Sequence, residues 1–164
     1  MKRIGLISDT HSHLDENVFR HFGECHEIWH AGDFGTLEIA DRLRAFKPLH
    51  GVYGNIDGQH IQDLFPENLR FTCEDVEVFI THIGGYPGRY VPRVKKELSE
   101  RPANLFISGH SHILKVMFDP LLKCLHINPG AAGLQGWHKI RTLVRFTVDG
   151  SNVKDCEVIE LGRK

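Results

Sequence analysis

Short apolar runs alternate with helical patterns in the first third of the chain. Residues 4–8, 27–31 and 49–53 are rich in branched and aromatic side chains, and each run ends where polar or glycine residues begin. Residues 14–22 and 36–46 lie between these runs and carry apolar side chains at helical spacing. The alternation predicts parallel strands joined by right-handed helical crossovers.

The pattern changes to paired short strands further along the chain. Hairpins are predicted where turn residues separate apolar runs: 70–73 and 76–81, 115–118 and 123–127, and 142–148 with the Asp149-Gly150 turn that follows it. A helix over residues 91–101 precedes one further strand, 105–108. We therefore predict an α/β fold with two mixed β-sheets packed as a sandwich and helices outside.

Length and composition bound this picture without identifying a partner. With 164 residues, 41% of them hydrophobic, the chain can bury one core, and we expect a single domain spanning residues 1–164. A formal net charge of −1 gives no sign of a nucleic-acid-binding or membrane-binding surface. No signal peptide or membrane-spanning segment is apparent, so we expect a cytoplasmic location. The four cysteines are scattered and form no Cys-x-x-Cys pair, which favours reduced thiols.

Polar patches follow five of the predicted strands, and they contain the residues with the strongest chemical signal. Carboxyl ends of neighbouring strands converge at one edge of an open sheet, so these side chains are expected to meet there. Carboxylate oxygens, an amide oxygen and imidazoles suit divalent manganese, iron, zinc or nickel. The patches, which together indicate one divided metal site, are Asp9-Thr10-His11, Gly32-Asp33, Gly54-Asn55, Thr81-His82 and Gly109-His110-Ser111-His112.

The order of these patches resembles that of the calcineurin-like metallophosphoesterase superfamily, and the small size resembles its compact bacterial and archaeal phosphodiesterases. The resemblance extends from Asp9 to about Gly130. It implies a four-layer α/β/β/α sandwich, the metallo-dependent phosphatase fold, with metals at the strand ends between the sheets. The prediction from hydrophobic patterning agrees with that architecture.

The resemblance also implies a ligand set for two divalent metal ions, with Mn²⁺ favoured and Zn²⁺, Fe²⁺ or Ni²⁺ as alternatives. Asp33 would bridge the two ions. A hydroxide between them, available near neutral pH because metals lower the pKa of water, would attack the phosphorus. The first ion would be bound by Asp9, His11, Asp33 and His112, and the second by Asp33, Asn55, His82 and His110.

Two positions depart from the family pattern. Larger members have a histidine directly after the metal-binding asparagine, where it can protonate the leaving oxygen, but this chain has Ile56 there. No catalytic side chain is therefore expected beyond the metal-activated hydroxide, and His13 or metal-bound water are the candidate proton donors. Ile83 also stands where glycine usually follows the histidine of the fourth patch.

Several residues keep two interpretations at this point. His30 resembles a family position, but packing or hydrogen bonding to a ligand is favoured over metal binding. Asp57 could orient a ligand or cap the following segment, and Asn128-Pro129-Gly130 could be a simple turn or part of the site. The remaining histidines, including His126 and His138, are expected to be surface or core residues.

The favoured function is hydrolysis of a small phosphodiester, and two alternatives stay open. The same site could act on monoesters, or the fold could serve as an interaction scaffold, as in the retromer subunit of this superfamily. Nucleotides, glycerophosphodiesters and cyclic nucleotides are all compatible substrates. A homo-oligomer is also compatible, because compact family members frequently self-associate and apolar strand edges at the C-terminal hairpin could pair.

Overall fold

The computed structural model describes residues 1–164 and contains ten strands and four helices. None of the helices has the length and apolar character needed to cross a membrane. In chain order the elements are β1 (Lys2–Ile7), α1 (Asn17–His21), β2 (Glu27–His30), α2 (Leu37–Phe46), β3 (Leu49–Gly51), α3 (Gln59–Gln62), β4 (Asn68–Cys73), β5 (Val76–Thr81), α4 (Pro92–Glu100), β6 (Leu105–Ile107), β7 (Lys115–Asp119), β8 (Cys124–Asn128), β9 (Ile140–Asp149) and β10 (Asn152–Arg163).

The strands form two five-stranded mixed sheets. The first sheet has the order β10-β9-β1-β2-β3, in which β1, β2 and β3 are parallel and the β9–β10 hairpin runs antiparallel. The second has the order β4-β5-β6-β8-β7, with β5, β6 and β8 parallel and an antiparallel strand at each edge. The N-terminal crossovers and the later hairpins are therefore present as predicted.

The two sheets pack face to face, and helices cover both outer surfaces. Trp29 is fully buried between the sheets and packs edge-on against Phe71 and Phe146. The first three helices cover the outside of the first sheet, and α4 covers the second sheet through Val94 and Leu98. The predicted four-layer α/β/β/α sandwich is confirmed.

Some predicted element limits were wrong, and local hydrogen bonding explains them. Helix α1 begins at Asn17 rather than at residue 14 because Asp15 forms a turn, accepting N–H groups of Asn17 and the following residue. Strand β3 ends at Gly51 rather than at residue 53, since the N–H of Tyr53 turns to the carbonyl of Pro66. The short helix α3 and the extent of the last strand, β10, were not predicted.

Candidate metal centre

The polar patches meet where the carboxyl ends of strands from both sheets face one another. The first sheet contributes Asp9 after β1, Asp33 after β2 and Asn55 after β3. The second sheet contributes His82 after β5, and His110 and His112 follow β6. The site thus lies at one end of the sandwich, and both sheets contribute residues to it.

One cluster of ligand atoms is formed by Asp9, His11 and His112, which lie within 4.8 Å of one another. The Nε2 atom of His112 is 3.2 Å from Oδ1 of Asp9, and that of His11 is 3.8 Å from the same oxygen. The two imidazole rings meet edge-on at a centroid distance of 5.3 Å. Three candidate ligands therefore surround one small volume.

A second cluster contains Asp33, His82 and His110, again within 4.8 Å of one another. Nε2 of His82 is 3.1 Å from Oδ2 of Asp33. Asn55 belongs beside this group, because its Oδ1 atom is 3.0 Å from Nδ1 of His110. The structure brings together all seven residues for which the sequence suggested metal binding.

Asp33 belongs to the second cluster and also faces the first. Its Oδ2 atom is 3.4 Å from Nε2 of His11 and 3.1 Å from Nε2 of His82, so one oxygen faces a histidine of each cluster. The other oxygen accepts a hydrogen bond from the N–H of Ile56 at 3.0 Å. This is the position that a carboxylate shared by two cations requires.

Several ligand atoms in the site are buried and have no hydrogen-bond partner: Oδ1 of Asp9, Nε2 of His11 and Nε2 of His82. Buried polar atoms are ordinarily paired, so a group of unpaired ones that converge calls for a missing partner. Oxygen and imidazole ligands without a thiolate suit divalent manganese, iron, zinc or nickel. The residues present therefore fit a divalent metal.

Neighbouring groups fix the orientation of the ligands. Oδ2 of Asp9 accepts hydrogen bonds from the Ser8 hydroxyl at 2.6 Å and from the N–H of His110 at 3.1 Å. Nδ1 of His82 lies 2.7 Å from the carbonyl of Ala31 and must donate to it, which leaves the Nε2 lone pair facing the site. In both Asp9 and His82, one polar atom is held by a protein hydrogen bond and the other is left to bind a metal.

Asp57 ties two of the ligand loops together. Its buried carboxylate accepts N–H groups of Gly54 at 2.8 Å, Gly35 at 2.9 Å and Phe34 at 3.2 Å. These partners flank Asp33 and Asn55. Of its two interpretations, the orienting role is the one the geometry supports.

Asn128 does the same for the loop that carries the last two histidines. Its Nδ2 donates to the carbonyl of Gly109 at 3.0 Å and to the Ser111 hydroxyl at 3.1 Å, while its Oδ1 accepts the N–H of Gly130. His110 and His112 both have positive φ, 70° and 62°. That backbone sends the two rings to different clusters, although a single residue separates them.

Glycine is required where the ligand loops touch. A Cβ atom on Gly54 would lie 2.0 Å from Oδ1 of Asp33, and one on Gly109 would lie 2.3 Å from the Ser8 hydroxyl. No other residue could occupy these positions without displacing a candidate ligand or its hydrogen-bond donor.

Burial and neighbouring charges shift the protonation of the site in opposing directions. Burial would raise the pKa of Asp9, but the neighbouring imidazoles of His11 and His112 hold that pKa well below its usual range. Burial opposes the lowering of the Asp33 pKa in the same way, and the imidazole of His82, 3.1 Å away, overcomes it. The nearby Asp9 carboxylate raises the pKa of His11. Such carboxylates stay charged, and a bound cation would replace the imidazole protons.

Other histidines near the site do not face the clusters in this way. His30 is fully buried with Nδ1 accepting the N–H of Gly32 and Nε2 3.1 Å from the Thr10 hydroxyl; burial lowers its pKa to about 3. His13 is half-buried, belongs to neither cluster and makes no side-chain hydrogen bond. His30 therefore supports the site by packing and hydrogen bonding, as the sequence favoured.

One neighbour of the site, His138, was not predicted from the sequence. The ring of His138 meets that of His112 edge-on at 5.1 Å, and its Nε2 lies 2.9 Å from the carbonyl of Gly133. His138 does not directly follow a strand, since β8 ends at Asn128, and the segment around it has no periodic pattern. Only the fold of the chain brings it beside a candidate ligand.

Comparison with known proteins gives a consistent family assignment. The family model of the calcineurin-like phosphoesterase superfamily domain matches residues 1–151. A probable metallophosphoesterase of Methanothermobacter thermautotrophicus is 31% identical, covering 97% of this chain and 92% of that protein. A phosphodiesterase of Methanocaldococcus jannaschii is 28% identical over 78% of this chain and 82% of its own length.

Solved structures share the fold at lower identity. An archaeal phosphodiesterase superposes with a TM-score of 0.77 at 23% identity, covering 97% of this chain and 99% of that one. Vps29 of Chaetomium thermophilum superposes with a TM-score of 0.76 at 17% identity, over the full length of both chains. At these identities the likeness concerns the fold alone.

Proposed function

The chain belongs to the calcineurin-like phosphoesterase superfamily, and on that premise we propose that it is a phosphodiesterase that uses two divalent metal ions. The family and the named relatives support the coarser statement, a metal-dependent phosphoesterase. The preference for diesters, the number of ions and the use of Mn²⁺ are the finer parts of the proposal.

The observation that carries the proposal is the pair of three-residue clusters that Asp33, a member of the second, connects. One of its oxygens faces His11 and His82, and buried ligand atoms in both clusters have no partner within the protein. We assign the first ion to Asp9, His11, Asp33 and His112, and the second to Asp33, Asn55, His82 and His110.

When bound, two such ions would polarise a phosphate and bring the pKa of water from about 15.7 to near 7. The protein's contribution is to hold their ligands. Asp57 and Asn128 fix the loops that carry the candidate ligands, and the hydroxyl of Ser8 fixes the orientation of the Asp9 carboxylate. With Ile56 after Asn55, no side chain stands in the family position of a proton donor, so His13 stays the candidate among the side chains.

An interaction scaffold is the second candidate, because the fold is also that of Vps29 proteins. The intact set of ligand side chains favours the enzyme. An interaction scaffold would not need candidate metal ligands whose buried atoms have no partner within the protein.

The decisive experiment compares hydrolysis of bis-p-nitrophenyl phosphate and p-nitrophenyl phosphate by metal-stripped protein resupplied with Mn²⁺. We expect faster diester hydrolysis that requires the metal and is lost in Asp33→Asn. Asp63→Asn, which alters an exposed carboxylate at the C-terminal end of α3, is the matched control and should retain full activity.

Faster monoester hydrolysis would replace the diesterase with a monoesterase. Binding of two Mn²⁺ ions without turnover of either ester would favour the scaffold.

For the proton donor, His13→Ala should slow a diester with a poor alkyl leaving group more than the nitrophenyl ester, and equal effects on both would exclude that role.

A further inference from the structure

A pocket of about 220 Å³ opens next to the second cluster and shares His110 with it. We call it the side pocket; its walls include Gly84, Gly85, Tyr86, Ile113, Lys115 and His126. Pockets for whole drug-sized ligands measure about 300–1,000 Å³, so this volume suits one substituent of a substrate. A phosphate at the second cluster would place its substituent at the mouth of the side pocket.

His126 places an unpaired hydrogen-bond acceptor at the side pocket. The residue is 1% exposed, stacks on Phe106 and has Nδ1 3.1 Å from the carbonyl of Phe106. Nδ1 must donate to that carbonyl, so Nε2 carries the lone pair. Nε2 is buried and has no partner within the protein. A ligand that supplies an N–H or O–H donor would satisfy it, and a buried acceptor without a donor is unfavourable.

The remaining walls are mostly flat or apolar. Tyr86 presents an aromatic ring, and Nζ of Lys115 lies 3.8 Å from its centroid in a cation–π contact. Gly84 and Gly85 offer bare backbone, and Ile113 adds an aliphatic surface. Planar rings pack well between such faces, whereas a polyol would leave hydroxyls unpaired and Lys115 would repel a cationic head group.

From this combination we propose that the side pocket binds the nucleobase of a nucleoside phosphodiester, with an N–H of the base donating to Nε2 of His126. Nucleobases are planar and carry ring N–H or amino donors, which a buried acceptor between flat walls requires. Lys115 at the same wall would also attract the phosphate. The substrate assignment rests on the proposed function, but base binding can be measured separately.

The first test is nucleoside binding to the full-length, metal-free protein by ¹H–¹⁵N NMR, with adenosine and uridine as probes. We expect shifts concentrated at the amides of Gly84, Gly85, Ser111 and His126. His126→Phe keeps a ring against Phe106 but removes the acceptor, and it should weaken binding about three- to tenfold, the loss expected for one hydrogen bond.

Tyr86→Ala and Tyr86→Phe form a second, matched pair on a half-buried loop residue. The alanine variant should weaken nucleoside binding and the phenylalanine variant should retain it. Leu121→Ser, at a 91% exposed site in the β7–β8 turn, is the control for surface changes. Undisturbed side-pocket amides at millimolar nucleoside in the folded wild-type protein would overturn the proposal.

The second test compares kcat/KM for thymidine 5′-monophosphate p-nitrophenyl ester and ethyl p-nitrophenyl phosphate in the Mn²⁺-loaded enzyme. We expect the nucleoside ester to be favoured, and His126→Phe to lower the ratio about three- to tenfold. A ratio near one that the variant leaves unchanged argues against the nucleobase site. Nucleoside binding without turnover of any ester would support the pocket and count against the proposed function.

Discussion

In Asp9 and in Asp33, the two carboxylate oxygens have different roles. One oxygen accepts protein hydrogen bonds, from Ser8 and His110 for Asp9 and from Ile56 for Asp33. The other faces imidazole nitrogens. This division fixes the direction of each carboxylate before any cation binds, so little side-chain freedom is lost on binding.

His126 makes stability depend on pH away from the metal centre. Burial lowers its pKa to about 4 in the folded protein, against 6.5 as its ordinary value. Between these pH values the unfolded chain takes up a proton that the folded protein does not, so stability is complete above pH 6.5 and falls as the pH drops toward 4. The loss amounts to at most about 3 kcal/mol.

Urea unfolding at pH 7 and pH 5 measures this effect. His126→Phe should show a smaller loss of unfolding free energy between the two pH values than the wild-type protein. His60→Gln alters an exposed histidine on α3 and should keep the wild-type difference. If the His126 variant keeps the full difference, other groups carry the pH dependence.

At the residue scale, the candidate ligands could be identified from sequence because their types and order are distinctive after apolar runs. Asp57 and Asn128 could not be assigned a role in this way. Their partners are backbone N–H and carbonyl groups of other loops, and such groups leave no trace in a sequence. The acceptor on His126 likewise depends on a strand neighbour, Phe106.

Helix α4 connects the outer layer to the side pocket. Leu98 is 1% exposed and packs in the cluster that contains Phe79 and Phe106, and Phe106 in turn stacks on His126. The packing of one helix therefore supports the wall of the pocket from behind.

Leu98→Ala tests this support. The substitution should lower the unfolding free energy by about 2–5 kcal/mol, because it removes buried methyl groups and leaves a cavity. Leu121→Ala, at an exposed position, should change it by less than about 0.5 kcal/mol. Chemical denaturation of both variants gives the comparison, and similar small effects would mean that α4 contributes little to the core.

At the scale of elements, strands with buried faces were predictable and β10 was not. Most of its positions are exposed, and its sequence places Lys, Asp and Glu among the apolar residues without regular alternation. Pairing with β9 defines it, and register shifts interrupt the pairing between Lys154 and Glu157 and between Glu160 and Gly162. Charges and bulges protect an edge strand from aggregation and also hide it from pattern analysis.

The whole molecule depends on contacts between residues that are far apart in the chain. The family resemblance supplied the four-layer architecture, which patterning alone reached only as two mixed sheets with helices outside. The meeting of Asp9 with His112 across the sandwich follows from the topology of both sheets. No local pattern in the sequence encodes that distance.

Metal binding should therefore stabilise the whole fold. A ligand at 100 times its Kd adds about 2.7 kcal/mol of stability when it binds only the folded state. We expect Mn²⁺ to raise the Tm of the metal-stripped protein and chelation to reverse the change. Asp33→Asn should abolish the rise measured by scanning calorimetry, while Asp63→Asn keeps it; an equal rise in both would place the ion elsewhere.

Because the candidate ligands lie on opposite sheets, the thickness of the sandwich determines the distances between them. Trp29, Phe71 and Phe146 fill the space between the sheets and so act as spacers for side chains that never touch them. Close-packed interiors transmit small displacements instead of absorbing them. Evolution could thus adjust the distances between candidate ligands of the two sheets through the size of distant aromatic residues, without changing any of those ligands.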